Sequence, residues 1–548
     1  MESGSTTLEQ NNRQSHWLRW FMPSIVDVLF VALALMLACT SLSSRLLGDA
    51  GIGWHIRTGQ LILANHAIPH VDPFSSSLNG HPWFAWEWLY DVIVGELDAA
   101  AGLNGVVAFA AIVIALTFSL ALWLLVKRGT NVVLGLILTL LAISASMIHF
   151  FARPHIVSWL LTVIWFWILD SHERGIVKPV KRPVLSAASN RRFQLLWLLP
   201  ATMLFWTNMH GGFLVGFILL AAYWLGAGWD YVKPTKDRFE NVLAKIEAAG
   251  RLKDLTLAGA LSALATVINP YGLNLHLHIY EYLSNRFLID HIDEFQSPNF
   301  HLIAQECFAL LLLLAVVDAA TRSRSRTPRV SEGLIILVAV YSGLYASRNI
   351  PISSLLLILV IGPWLSEGLR LTQSGEIETR SQSPRYVRLL QRIHAIEVGG
   401  YVWPLAAVIV VGWLVFHGGD AGGRGYLHAQ FSEKRFPVAA ADYLEQRNIT
   451  GPLFAPDSWG GYLIYRFYPR TKVVIDDRHD FYGEAFLKSY LKTIHLEPGW
   501  QDFLNSHPAE YLIVPRGSAL ANILAETTAW HSIYSDEVAV VYAPVNER

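Results

Sequence analysis

The chain contains 548 residues, of which 53% are hydrophobic and 16% are charged, and its mean hydropathy is +0.36. A soluble protein of this size carries about a quarter charged residues, so the composition excludes an ordinary water-soluble enzyme. Lys and Arg number 42 against 43 Asp and Glu, which excludes a globally basic nucleic-acid-binding protein. The two cysteines, Cys39 and Cys307, lie in apolar segments, which favours packing roles over a disulfide or a metal site.

Apolar segments long enough to cross a bilayer recur between residues 25 and 417. A span needs about 20 mainly apolar residues, and this rule predicts about eleven transmembrane helices. Residues 1–24 then form a cytoplasmic leader that is retained. The predicted spans are 25–45, 104–126, 130–150, 155–170, 193–209, 212–231, 255–271, 302–320, 333–347, 350–366 and 401–417.

Lys and Arg concentrate in the connections that follow the even-numbered spans. Because cytoplasmic loops carry an excess of Lys and Arg, these connections are predicted to lie inside. The chain is therefore predicted to be a polytopic α-helical membrane protein with its amino terminus inside and its carboxyl terminus outside. The basic connections are 127–128, 172–182, 233–238, 322–329 and 380–392.

Polar residues gather in short turns at the predicted outer ends of the spans. Ionisable groups are costly in lipid and by default indicate function, so these turns are predicted to share a pocket. Each also has an ordinary structural interpretation, because Gly and Pro turns end helices and a terminal Arg reaches the headgroups. The residues are Arg153 and His155 in FARPHIVSW, Asn208 and His210 in WTNMHGGF, Asn269 in INPYG, and Arg348 and Asn349 in YASRNIP.

Arg153 and Arg348 carry more information than the other turn residues. Both lie outside, against the basic bias of the chain, and each has apolar neighbours. An arginine in this position needs an anion, and its planar fork matches a phosphate. The sequence therefore predicts that a lipid phosphate binds at the outer leaflet, and Arg348 is the strongest candidate to bind it.

The first outer loop, residues 48–103, is rich in acids, histidines and tryptophans. Two amphipathic helices are predicted in it, lying on the membrane surface with Trp54 and Ile56 on lipid. An acid held beside Trp and lipid can act as a base, and Asp49, at the end of the first span, is the strongest candidate. The loop also carries His55, Arg57, Asp72 and Glu87 over the bundle as candidate substrate-binding residues. A solvated loop acid is a stronger alternative for Asp72 and Glu87 than for Asp49.

A Gly-rich linker, residues 418–430, precedes a region that alternates helix and strand patterns. Residues 431–548 are predicted to form a small α/β domain on the outer face. Its segment VVIDDRHD places residues 476–480 at the end of an apolar strand, where open α/β sheets bind ligands. A salt-bridged loop that docks the domain onto the bundle is the favoured alternative.

The first outer loop resembles that of bacterial members of the GT-C superfamily, polytopic glycosyltransferases related to protein mannosyltransferases and aminoarabinose transferases. The turns WTNMHGGF, INPYG and SRNIP are similar to those of its bacterial branch, so the resemblance covers residues 25–417. It implies sugar transfer from a polyprenyl-phosphate carrier to an extracytoplasmic glycan, lipid or protein acceptor, with Asp49 as the catalytic base. It also implies a bacterial inner membrane protein. The family often has a second acid where this chain has Gly51, which argues against a metal-bound site but leaves a divalent cation open.

Two other classes of protein stay open at the level of sequence. A transporter or flippase of lipid-linked sugars also needs Arg for phosphate, but it places polar groups near the bilayer midplane and often has paired repeats. Neither feature is clear in this sequence. A non-catalytic envelope assembly protein would leave Asp49 replaceable. No phosphate-binding motif of the type GxxxxGK[ST] is present, which fits a donor without a nucleotide.

Overall fold

A computed structural model describes residues 21–175, 195–234, 238–321, 328–377 and 402–545. The chain forms a bundle of apolar helices, and an α/β domain covers one end of it. We call that end the outer end and the opposite one the inner end. The bundle helices are Ile25–Cys39, Leu42–Leu46, Trp88–Lys127, Val132–Ser146, His155–Arg174, Leu198–Met209, Leu214–Val232, Arg238–Ala265, Ile303–Thr321, Val330–Tyr345, Ile350–Ile377 and Val402–Phe416.

Every predicted span overlaps one of these helices. Within the described ranges, five helical stretches are long and apolar enough to cross a membrane, and further apolar helices are shorter. The five are Trp88–Lys127, Val132–His149, Gly211–Val232, Ile303–Ala320 and Ser347–Leu369. The count of about eleven spans and the orientation stay predictions, since most of the leader and of the basic connections 172–182 and 380–392 lies outside the described residues.

Local signals in the sequence set several of the helix ends. Ser24 and Asp27 form a reciprocal capping box at the start of the first helix, which satisfies two backbone N–H groups that lack helical partners. Gly102 has a φ of 61° inside the helix Trp88–Lys127. Because glycine tolerates this left-handed conformation, the chain bends there. The bend separates the outer part of the helix from its apolar part, at the predicted end of the first outer loop.

The first outer loop contains both predicted helices, Gly51–Asn65 and the start of Trp88–Lys127. The prediction that the first of them lies on lipid is wrong. Trp54 and Ile56 are buried, because this helix packs between the bundle and the α/β domain. Periodicity identifies an apolar face, but it does not identify whether lipid or protein covers that face.

The α/β domain contains a four-stranded sheet, which confirms the predicted α/β character of the C-terminal region. Strands β3 (Leu453–Phe454), β4 (Tyr511–Pro515), β5 (Trp530–Ser535) and β6 (Ala539–Pro544) lie in the order β3-β4-β6-β5, and only β3 and β4 are parallel. The linker forms a short hairpin of β1 (Asp420–Ala421) and β2 (Arg424–Gly425). The helices of the domain are Val438–Gln446, Asp457–Phe467, His479–His495, Gln501–Ser506 and Ala519–Glu526.

The domain is joined to the first outer loop by backbone bridges and by a buried ion pair. Val473 forms isolated parallel bridges to both Ser75 of the loop and Leu453 of β3, so the loop extends the sheet. Arg478 is buried and contacts Asp476 at 2.7 Å and Asp72 of the loop at 2.8 Å. The docking interpretation of the IDDRHD segment is therefore right for this pair. Asp72 is a buried docking acid, so the alternative of a solvated loop acid is wrong for this residue.

Candidate active site

A polar cavity of about 700 Å³ lies at the outer end, between the bundle, the first outer loop, residues 282–294 and the α/β domain. The predicted site residues that line it are Asp49, Glu87, Arg153, His155, His210 and Arg348. Among the other polar residues of the wall are Tyr282, Glu294, Arg435, Asp457, Asp477, His479 and Asp480. Residues that are far apart in the sequence thus meet in one space, and most of them are ionisable.

Asp49 and Arg153 form an ion pair on the wall of the cavity. Asp49 precedes the helix Gly51–Asn65, and its Oδ1 accepts the Gly51 N–H at 2.8 Å. Arg153 lies in the turn before the helix His155–Arg174. This turn is tied to the end of the helix Leu42–Leu46, because the Ala152 N–H donates to the Leu46 carbonyl at 2.7 Å. Nη1 of Arg153 is 3.1 and 3.0 Å from the two Asp49 carboxylate oxygens.

Asp477 contacts the same guanidinium nitrogen as Asp49. Its Oδ2 is 3.6 Å from Nη1 of Arg153, and its Oδ1 accepts the indole N–H of Trp54 at 3.1 Å. Burial raises the pKa of Asp477 to about 7, although the charge of Arg153 opposes this shift. The side chain therefore changes its charge near neutral pH.

Arg348 lies across the cavity in the short turn Ser347–Asn349. Its guanidinium packs over the ring of Phe295 at 4.4 Å, and its Nη1 is 3.8 Å from Oε1 of Glu294. Burial raises the pKa of Glu294, but Arg348 and Arg153 outweigh burial and lower it to about 2. Glu294 is thus an ionised partner at a distance that leaves Arg348 able to bind another anion.

Glu87 lies between two histidines. Its carboxylate oxygens are 3.8 Å from Nε2 of His55 and 3.7 Å from Nε2 of His210. Burial raises the pKa of Glu87 to about 8 and lowers the pKa of His55 and of His210 well below the ordinary value. At pH 7 these side chains are therefore neutral. Nδ1 of His210 accepts the Gly212 N–H at 2.9 Å, which assigns the ring proton to Nε2, facing Glu87.

The remaining predicted site residues lie outside the cavity wall and hold elements of the structure together. His55 bonds to Asp91 at 2.5 Å, Arg57 donates to the Tyr465 carbonyl, and Asp72 pairs with Arg478. The asparagines hold turns: Asn208 accepts from Trp88 and donates to the Ile268 carbonyl, Asn269 accepts from the Tyr271 N–H, and Asn349 donates to the Ser342 carbonyl.

Sequence reasoning passed over Glu294 and did not place Asp477 or His479 in the cavity. Residues 272–300 were expected outside, but no motif distinguishes Glu294 there. His479 bonds to Asp457 at 2.7 Å. Burial lowers its pKa, but Asp457 outweighs burial and raises it. The charged run in VVIDDRHD indicated that Asp477 and His479 belong to a functional or docking segment. The sequence did not show which surface of the bundle this segment contacts.

The cavity offers no fit for a divalent cation within the described ranges. No group of three or more His, Cys, Asp or Glu residues in them is arranged to hold a metal ion. Asp49 and Asp477 share the guanidinium of Arg153, which already supplies a cation to both carboxylates. No step described below uses a metal.

No family model and no curated protein matches the sequence, but solved structures match the fold. The oligosaccharyltransferase AglB from Archaeoglobus fulgidus, in complex with an inhibitory peptide and a dolichol-phosphate, aligns with a TM-score of 0.55 at 13% identity, over 95% of this chain and 74% of that one. Another structure of the Archaeoglobus fulgidus oligosaccharyltransferase, tethered with an acceptor peptide, aligns with a TM-score of 0.51 and the same identity and coverage. ArnT from Cupriavidus metallidurans, bound to undecaprenyl phosphate, has a TM-score of 0.47 at 16% identity, over 95% and 98% of the two chains.

The two oligosaccharyltransferase structures have the same fold as this chain. The resemblance that the first outer loop carried is thereby confirmed at the level of fold. With its long apolar helices, the chain is an integral, multi-pass membrane protein.

Proposed function

We propose that this protein is a glycosyltransferase that moves a sugar from a polyprenyl-phosphate carrier to an acceptor on the outer side of a bacterial inner membrane. One observation carries the proposal: a single cavity at the outer end holds an acid, Asp49, and two arginines, Arg153 and Arg348, from distant parts of the chain. Sugar transfer from a lipid phosphate needs a base for the acceptor and cationic groups for the phosphate.

Arg348 is the ligand that we assign to the donor phosphate. Stacking on Phe295 holds its guanidinium plane in place, and its ion pair with Glu294 is loose at 3.8 Å. A phosphate offers the bidentate contact that this carboxylate does not make. The dolichol-phosphate bound to AglB, which has the same fold, supports a polyprenyl phosphate as the donor class.

Asp49 is the group that we assign as the general base. It takes the proton of the acceptor's attacking group, which then forms a bond to the anomeric carbon of the donor sugar. The bond between the anomeric carbon and the phosphate oxygen breaks, and its electron pair leaves with the lipid phosphate. Arg348 and Arg153 stabilise the charge that develops on this leaving group. The acceptor is a glycan, a lipid or a protein, and a divalent cation has no part in this scheme.

The test is transfer of a labelled sugar by the purified full-length protein. The protein is incubated with a panel of labelled polyprenyl-phosphate sugars and a membrane extract as the source of acceptors. Asp49→Asn is expected to lower the transfer rate by at least about 100-fold, because it removes the base. The matched control is Asp290→Asn, an exposed acid near the same end that pairs with Arg286 and is expected to transfer at the wild-type rate. Thermal unfolding of each variant shows whether the fold is intact.

The outcome also separates the other two classes of protein. Movement of the labelled lipid across proteoliposomes, without transfer to any acceptor, would indicate a transporter. Wild-type protein that neither transfers nor moves the lipid would indicate a non-catalytic assembly protein. Equal transfer by wild type and Asp49→Asn would contradict the role assigned to this acid.

A further inference from the structure

At Gly51, a side chain of the α/β domain packs directly against the first outer loop. A Cβ atom at this position would lie 2.5 Å from Oδ2 of Asp477, 3.0 Å from Oδ1 of Asp49 and 3.2 Å from Cζ of Arg153. The first distance is too short for any side chain. The carboxylate of Asp477 therefore fills the space into which a side chain at position 51 would project, and glycine permits this approach.

The carboxylate of Asp477 is held there by groups of the first outer loop and the bundle. Trp54 donates its indole N–H to Oδ1, and Arg153 faces Oδ2 while it also binds both oxygens of Asp49. The loop that carries Asp477 is fixed by the buried ion pair between Arg478 and Asp72. The two carboxylates and one guanidinium thus form one unit across the junction between the α/β domain and the bundle.

We propose that Asp477 is a positioning residue of the active site, supplied by the α/β domain, which acts on Asp49 through their shared guanidinium, Arg153. This inference rests on the proposed function. Ionised Asp477 takes a share of Arg153 and places a second negative charge beside Asp49. Both effects weaken the hold of Arg153 on Asp49, so that the Asp49 carboxylate is available to the acceptor's proton. The catalytic centre is then complete only when the α/β domain is docked.

The experiment compares full-length wild type, Asp477→Asn, Asp477→Gly and the double variant Gly51→Asp with Asp477→Gly. For Asp477→Asn, kcat is expected to fall by about 10- to 100-fold, with no rise in the donor KM. The wild-type kcat is expected to increase as the pH rises through about 7, where Asp477 ionises, and this increase is expected to disappear in Asp477→Asn. Asp442→Asn, an exposed acid of the same domain that pairs with Arg466, is the control and should behave as wild type.

The double variant tests the geometry independently of any damage to the domain. With Asp477→Gly the space beside position 51 is vacant, so an acid introduced at Gly51 can reach Arg153 from the helix itself. The kcat of the double variant is expected to be at least about tenfold above that of Asp477→Gly alone, because the new carboxylate takes over the electrostatic role of Asp477. A double variant no faster than Asp477→Gly would contradict the shared position of the two side chains.

Failure of this inference is distinct from failure of the proposed function. If Asp477→Asn keeps the wild-type kcat and pH profile while Asp49→Asn is inactive, the function stands and the role of Asp477 is overturned. If wild type transfers no sugar, the proposed function fails, and the binding of undecaprenyl phosphate still tests the charge unit. Loss of a negative charge beside Arg153 is expected to tighten that binding in Asp477→Asn, and equal or weaker binding overturns the inference.

Discussion

Ionisable side chains gather at both ends of the helix His155–Arg174, about 30 Å apart, and the two groups differ in how they face their surroundings. At the inner end, Arg128 pairs with Asp170 at 3.3 Å and with Glu332 at 3.0 Å, and Arg174 contacts the same two acids. At the outer end, Arg153 and Arg348 also have acidic partners, but these pairs form the wall of a cavity of about 700 Å³.

The inner group links neighbouring helices, whereas the outer group leaves charge available to a ligand. Arg128, Asp170 and Glu332 are nearly inaccessible, with 3%, 8% and 6% of their side chains exposed, whereas Arg174 has 29% exposed. Arg348 has 29% exposed and Arg153 25%. Charged groups at the end of a transmembrane bundle therefore do not indicate a site by themselves. The indication comes from the cavity of about 700 Å³ that Arg153 and Arg348 share with Asp49 and from the loose pair of Arg348 with Glu294 at 3.8 Å. Partial exposure alone does not distinguish these arginines from Arg174.

The largest effect on stability is expected at the inner group. Glu332→Gln removes a buried charge that two arginines share, and we expect the free energy of unfolding to fall by about 3 kcal/mol. Sugar transfer per folded molecule should stay within about twofold of wild type, because the group lies about 30 Å from the cavity. Chemical denaturation and transfer assays in the same detergent measure the two quantities. A fall in kcat without a loss of stability would show that the inner group acts on the site.

The reverse pattern is expected for Arg348. Arg348→Gln should raise the donor KM by about 10- to 100-fold, because a charge-assisted contact to phosphate contributes about 1.5–3 kcal/mol, while the unfolding temperature changes little. The neighbouring variant Asn349→Ala is the matched control, since Asn349 holds the turn through the Ser342 carbonyl and lies outside the cavity wall. It should lower stability slightly and leave KM unchanged. If both variants raise the donor KM equally, donor binding depends on the conformation of the turn and not on the guanidinium of Arg348.

A smaller effect is expected in the dependence of stability on pH. Burial raises the pKa of Glu87 from its ordinary value of 4.5 to about 8, so the folded protein holds a proton that the unfolded chain releases. The contribution of Glu87 to the free energy of unfolding should therefore fall as the pH rises from about 4.5 to about 8. His55 and His210, whose pKa burial lowers from the ordinary value of 6.5, contribute with the opposite sign below about pH 6.5. Glu294 contributes with the opposite sign, but only below about pH 4.5, because its pKa is lowered to about 2.

Glu87→Gln should remove this contribution, since glutamine cannot ionise, so the variant should lose less stability than wild type as the pH rises. Unfolding temperatures measured between pH 5 and pH 8 (about the window given by the raised pKa) provide the comparison with wild type. Glu484→Gln, an exposed acid paired with Lys488, is the control and should keep the wild-type slope. A Glu87→Gln variant that retains the full slope would place the titrating group elsewhere.

Much of the fold could be predicted from apolar runs and charge bias, since each predicted span overlaps a helix. Arg153 and Arg348 were also accessible to sequence reasoning, because an outward arginine among apolar residues is costly unless it meets an anion. Asp49 was singled out by its place at the end of the first span. The positions of these residues on one cavity wall agree with the predicted pocket, and their catalytic roles stay predictions.

The contacts that complete the cavity could not be predicted from local pattern. Asp477 and Asp49 are far apart in sequence, and only the docking of the α/β domain brings them to one guanidinium. Asp72 looks like a solvated loop acid because its loop is polar, whereas its burial depends on Arg478 of the distant domain. Trp54 faces protein for the same reason. Tertiary contacts between segments that are remote in the sequence therefore determine which of these side chains are buried and which line the cavity.

The central claim, that a lipid-linked donor binds in the outer cavity, is tested most directly by thiol labelling. Cys39 and Cys307 are replaced by alanine, and Ser458→Cys places a single thiol at the cavity wall. A membrane-impermeant maleimide is then added to either face of oriented vesicles, with and without a polyprenyl-phosphate sugar. The account predicts labelling from the outer face alone, slowed at least about tenfold by the donor as it fills the cavity. Labelling from the cytoplasmic face, or at a rate that the donor leaves unchanged, would contradict it.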